Sequence, residues 1–185
     1  MSDFGEPPEL PLTILHRNFF DEEIMTRYHI CGLSAELGAT VRESMRSPQY
    51  GHPAVCEVAR GTGPCRICLR RFEVGKDERI LFTYRPDVDD ASIGAPGPVF
   101  IHAGVCTQYR GSTFPDDLKP LPIVLEGRSG GNRTPRAVRV RGTDVDAALL
   151  ELLSNDDIKY VFIRHGDAGC HIARVNRGPL PAHTV

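Results

Sequence analysis

Apolar positions along the chain follow two rhythms, one helical and one extended. In "FFDEEIMTRYHI", Phe20, Ile24 and Tyr28 recur every four residues behind Asp21 as a capping side chain. In "LSAELGATVRESMRS", Ser34 caps and Leu37, Val41 and Met45 form the next stripe, before "SPQYGHP" breaks the pattern. A third helix is predicted in "TDVDAALLELLSN", where Val145, Leu149 and Leu152 share one face and Thr143 with Asp146 resembles a capping box.

Between the second and third helices the rhythm is that of strands. "AVCEVAR", "ERILFTYR", "VFIHAGVC", "LPIVLEG" and "RAVRVRG" are rich in β-branched and aromatic residues and end near turn residues. "IKYVFIRHGDAGCHIARV" predicts a terminal hairpin turning at Gly166-Asp167-Ala168-Gly169. "DVDDASIGAPGP", residues 87 to 98, is a polar loop long enough to expect a role for it. The expected fold class is α+β, a mostly antiparallel or mixed sheet with short N-terminal helices and one helix before a C-terminal hairpin. Residues 1–11, with Pro7, Pro8 and Pro11, are expected to be a flexible leader to a single domain over 12–185.

Composition changes this picture little and narrows function more. Hydrophobic residues make up 41% and charged residues 25%, the balance of a soluble globular protein. The formal net charge of -2 excludes a global field for polyanions. No apolar run approaches the roughly 20 residues that cross a bilayer. The acidic, proline-bearing N-terminus lacks a signal peptide's basic and apolar regions, so a cytoplasmic location without membrane partners is expected. "GRSGGN" lacks the spacing and following Lys-Ser/Thr of a phosphate loop, and the "NRT" sequon at 132–134 carries little weight in such a compartment.

That compartment gives the six cysteines, at 31, 56, 65, 68, 106 and 170, their interest. Under reducing conditions they are ligands, nucleophiles or buried small hydrophobes rather than disulfides. Cys65-x2-Cys68 and His102-x3-Cys106 together form a metal-ligand pattern, separated by 33 residues. Three thiolates and one imidazole are a standard tetrahedral zinc set. Two intervening residues let a tight turn aim both sulfurs at one point. In a helix, three intervening residues would set His102 and Cys106 about one turn apart. Arg66, Arg70 and Arg71 stand ready to offset the negative charge of zinc bound by three thiolates. The competing readings are three ordinary core residues, since free cysteine is often buried, or a redox pair. No helix pattern starts at Cys65 to favour the latter.

Two further groups carry weaker signals. Cys170, with His165 or Asp167 across the turn, is a candidate nucleophile with its base, against the plainer reading of a buried thiol beside a glycine turn. Arg128, Arg133, Arg136, Arg139 and Arg141 suggest an anionic ligand, against the plainer reading of a solvated outer strand. Arg139 and Arg141 would share one strand face with Val138 and Val140 on the other, and Arg136 would belong to the preceding turn. No aromatic residues interleave for base stacking, which disfavours nucleic acid.

"GPCRICLR", "ERILFTYRP", "GPVFIHAGVCTQY" and "YVFIRHGDAGCHIARVNR", in this order, resemble a bacterial family of uncharacterised proteins, domain-of-unknown-function family 1203. The resemblance covers roughly residues 12 to 177. It rests on Pro64-Cys65-Arg66 with Leu69, on Gly97-Pro98 with Phe100, and on Gly169-Cys170 with Arg164. It implies one small domain and assigns no activity.

Three functions are thus open. The first is a protein with a structural zinc site that acts through a binding surface. The second is a cysteine-dependent hydrolase or transferase acting on an anionic small molecule, with Cys170 or Cys65 as nucleophile and His165 or His102 as base. The third is a polyanion-binding module using the 128–141 arginines.

Overall fold

The computed structural model describes residues 28–86, 96–129 and 134–178. The larger sheet is built from β1 (Tyr28–Cys31), β5 (Arg110–Gly111), β6 (Pro122–Arg128), β7 (Arg136–Arg141), β8 (Tyr160–His165) and β9 (His171–Arg177). Its order is β5-β1-β9-β8-β6-β7, and each pairing is antiparallel. The smaller sheet has the order β2-β3-β4, from β2 (Val55–Val58), β3 (Glu78–Tyr84) and β4 (Gly97–His102), again antiparallel. With helices α1 (Ala35–Ser44) and α2 (Val145–Leu153), the class is α+β with sheet dominant.

Each sheet has its own core. Helix α2 lies on β6 and β7. Its Val145, Leu149 and Leu152 pack with Ile123, Leu125, Val161 and Ile163. Burying each such side chain contributes roughly 1.5–3 kcal/mol. In the smaller sheet, strand alternation sends Ile80 and Phe82 of β3 and Val99 and Ile101 of β4 to the same side. They meet Val41 of α1 together with Ile67 and Phe72. Ser34 caps α1 by accepting from the Leu37 N–H at 3.1 Å, as the sequence suggests.

Several expectations are corrected. Tyr28–Cys31 is a strand rather than the end of a helix, because it is clasped between β5 and β9. The rest of that expected helix, the leader 1–11 and most of the 87–98 loop lie outside the described residues. The capping box of α2 does not form. A short 3-10 turn, Gly142–Asp144, leads into the helix, and Asp146 instead accepts from the Tyr28 hydroxyl (2.6 Å) and the Phe114 N–H (2.9 Å). Arg136 is the first residue of β7, paired with Gly127, not part of a turn.

The loop Pro64–Arg71 joins the two sheets. Its two ends close as an isolated bridge, Pro64 with Arg71. The Arg66 N–H donates to the Phe100 carbonyl of β4 (2.9 Å). Toward the other sheet, the Arg66 carbonyl accepts from Leu33 just after β1 (2.7 Å), and the Ile67 carbonyl from Tyr109 just before β5 (2.8 Å). Chain passes so close here that a Cβ on Gly32 would lie 2.1 Å from the Ile67 oxygen. Only glycine fits that crossing.

Candidate metal centre

The Pro64–Arg71 loop aims its sulfurs through its backbone. The Cys65 N–H donates to the Arg70 carbonyl and the Leu69 N–H to the Cys65 carbonyl, both at 2.9 Å. Leu69 takes a left-handed conformation (φ 60°) to make the turn, at a cost of about 1–2 kcal/mol that its complete burial helps offset. The Cys65 sulfur accepts from the Cys68 backbone N–H, and the Cys68 sulfur from that of Arg70. Both cysteines are buried.

The other two side chains arrive along β4. His102 is its last residue, paired with Arg79, and its own N–H donates to the Cys65 sulfur at 3.4 Å. Residues 103 and 104 then bend, and no helix follows, so the expectation of a helical turn between His102 and Cys106 is replaced by a bent segment. That segment still returns the Cys106 sulfur to 3.8 Å from that of Cys65. The His102 Nδ1 stands 3.5 Å from the Cys68 sulfur. All four donor atoms, Cys65, Cys68, His102 and Cys106, lie within 4.8 Å of one another.

These separations can be compared with a coordination tetrahedron. Bonds of about 2.3 Å to sulfur and about 2.0 Å to nitrogen imply edges of about 3.8 Å for S···S and about 3.5 Å for S···N. The two short separations have those lengths. Four donors of soft sulfur and imidazole type thus match a small tetrahedral cation.

The surroundings fit the same role. The far nitrogen of His102, Nε2, lies 3.6 Å from the Asp77 carboxylate, and Phe72 packs on the ring at a centroid distance of 4.7 Å. A carboxylate behind the imidazole orients it and raises its basicity. Arg42 of α1 donates through Nε to the His102 carbonyl (3.1 Å) and reaches the Cys106 sulfur through Nη2 (3.8 Å). Arg70 lies against the Cys68 sulfur, which holds its guanidinium pKa up. Of the three arginines expected to balance the site, only Arg70 does so directly. Arg66 turns away to the carbonyls of His171 (2.5 Å) and Pro64 (2.6 Å), and Arg71 donates to the Thr62 carbonyl (3.1 Å).

Protons are unevenly shared in the cluster. Hydrogen bonds from the Cys106 and then the Cys68 thiols hold Cys65 far below the ordinary thiol range. The reciprocal donation pushes Cys106 far up. Cys68 is lowered by its bond with Cys106, yet donation to Cys65 and burial carry it upward overall. His102 is raised, first by its interaction with Cys65 and further by the charges of Cys65 and Asp77. Three thiols this close cannot all ionise unless a cation offsets their charge.

Arg42 and Asp77 are invisible to a spacing argument, because each reaches the cluster from another element. The signal that was available is modest: Arg42 directly follows Val41 on α1, and Asp77 ends the turn before β3.

The remaining candidates sit elsewhere. His165 and Cys170 flank the β8–β9 turn. The His165 Nδ1 accepts from the Asp167 (3.2 Å) and Ala168 (3.3 Å) N–H groups, while the Cys170 thiol donates to the Ala168 carbonyl (3.6 Å). The described arginines are spread among separate partners. Arg128 is buried and ion-paired with Glu126 (2.5 Å), Arg136 reaches Glu151 (3.6 Å) and Arg139 reaches Asp167 (3.2 Å). Arg141 is exposed on the outermost strand, and Arg133 lies outside the described residues. Among the described residues no helix is long and apolar enough to cross a membrane.

A family model described as "Protein of unknown function (DUF1203)" matches residues 62–177, more than half of the chain. No curated protein and no solved structure matches. The matched span contains all four clustered side chains. The chain belongs to the DUF1203 family.

Proposed function

Proceeding from that membership, we propose that Cys65, Cys68, His102 and Cys106 hold one zinc ion as a structural knot between the two sheets, and that the protein acts through a binding surface. The observation that carries this reading is the pair of separations, 3.8 Å between sulfurs and 3.5 Å from sulfur to imidazole nitrogen, which are tetrahedral edges for zinc. Four protein donors close the coordination shell and leave no position for a reacting water. Zinc in such a shell supplies cross-linking and charge, not hydrolysis. The location supports the same role, since the loop that carries two of the ligands also hydrogen-bonds to both sheets. Complete burial of Cys65 suits a ligand better than a nucleophile.

Elemental analysis of the reduced, purified protein tests this reading. One zinc per chain is expected, with a lower melting temperature after its removal by a chelator. Absence of any stoichiometric metal overturns it.

A further inference from the structure

We infer that Cys106 is an oxidation site, at which a hydroperoxide closes a disulfide with Cys65, opens the metal cluster and frees its ion. The inference rests on the zinc reading and adds a means of control to it. Its ground is a contrast between the two segments that carry the ligands.

Cys65 and Cys68 sit in a turn that its own backbone locks. The Cys65 N–H donates to the Arg70 carbonyl and the Leu69 N–H to the Cys65 carbonyl, both at 2.9 Å, and Pro64 bridges to Arg71. Cys65 is fully buried and Cys68 nearly so. Cys106 differs on each count. It is half-buried, between Val105, which is 93% exposed, and the exposed Thr107. Among the described residues, no backbone hydrogen bond ties residues 104–108 to another main-chain group. A Cβ on Gly104 would meet nothing within 4 Å. Segments held by so few bonds shift at low cost.

Cys106 also borders, with His102, an open pocket of about 730 Å³, ample for a small peroxide. Arg70 lines the same pocket, and Arg42 sets its Nη2 3.8 Å from the Cys106 sulfur. Both bring positive charge to the place where the departing oxygen of a peroxide turns negative.

A metal-bound thiol stands as the thiolate, the form that attacks a peroxide. The Cys106 sulfur bonds to one peroxide oxygen and the O–O bond breaks. The second oxygen takes up a proton and leaves as water or an alcohol. The sulfenic acid so formed has the Cys65 sulfur 3.8 Å away. Cys65 attacks it, the S–O bond breaks, and the hydroxide leaves as water with a second proton. The two sulfurs give up two electrons and the peroxide accepts them. Cys65 needs no access to solvent, because its attack occurs inside the cluster. The bend must carry the Cys106 sulfur about 1.8 Å nearer, which an untied segment allows. Cys68 and His102 alone are half of a tetrahedral set, so the ion departs. The new bond spans the same 41 positions, so the Pro64–Arg71 loop stays tied to the end of β4.

Hydrogen peroxide added to the full-length, zinc-loaded protein tests this. A chromophoric chelator reads the zinc freed beyond that of untreated protein. Non-reducing peptide maps read the linkage, cleavage after Arg66 separating Cys65 from Cys68. About one peroxide consumed per zinc freed is expected, with a Cys65–Cys106 link and renewed zinc binding after dithiothreitol. Cys106→Asp, which keeps a fourth donor, should free zinc about tenfold more slowly. Zinc that stays bound under peroxide, zinc that leaves with any other linkage, or an equal rate in the variant overturns this inference and leaves the zinc reading standing. A purified protein without stoichiometric zinc overturns both.

Discussion

The sulfur of Cys106 lies 3.8 Å from that of Cys65, though 41 positions separate them in sequence. One sulfur belongs to a loop bonded to both sheets, and the other to the bent segment leaving β4. A cation between them closes a long loop, and closing long loops removes much freedom from the unfolded chain. The cluster therefore bears on the stability of the whole fold rather than on one turn.

Cys68→Ser and His102→Gln should each abolish stoichiometric metal and lower the melting temperature by about 10 °C or more, as expected when folding free energy is drawn from metal binding. Differential scanning calorimetry with parallel metal analysis checks this. Unchanged melting in both variants would contradict it.

Asp77→Asn should keep the fold and weaken zinc affinity roughly 10–100-fold, the usual cost of losing a carboxylate behind a ligating imidazole. Its carboxylate lies 3.6 Å from the His102 Nε2. Competition against a chromophoric chelator measures the change.

Arg66→Met should retain zinc and still destabilise the protein by about 2–4 kcal/mol. It strips charged donors from the His171 and Pro64 carbonyls in a buried setting. Denaturant melts of the zinc-loaded variant give the number.

Much of this was legible in the chain, and what was not has physical causes. The CxxC and HxxxC spacings pick out the four clustered side chains, although a bend rather than the expected helical turn brings His102 and Cys106 together. The β3 and β4 strands follow from the β-branched and aromatic residues of "ERILFTYR" and "VFIHAGVC". Tyr28 misleads because a four-residue repeat with Phe20 and Ile24 also suits a segment whose end is captured by β9, a long-range pairing no local pattern contains. Asp146 looked like a cap, yet the Tyr28 hydroxyl, 118 positions away, claims it. Arg42 and Asp77 belong to the same class of long-range fact.

Acid should destabilise the protein through His171. Burial and three arginines hold its folded pKa well below the ordinary 6.5. The unfolded chain then binds a proton that the folded one refuses, so this contribution is full above pH 6.5 and is lost as pH falls below it. His171→Phe should lack this component, so the wild-type and variant stabilities, measured by denaturant melts at pH 7.5 and 5, should converge or cross on acidification. Parallel curves would contradict it.

The central claim meets its most direct test in native mass spectrometry of the freshly purified, reduced protein. The account predicts one zinc ion per chain, released by a chelator with a shift toward higher charge states and a lower melting temperature. A chain that carries no metal under those conditions and keeps its folded envelope would contradict it.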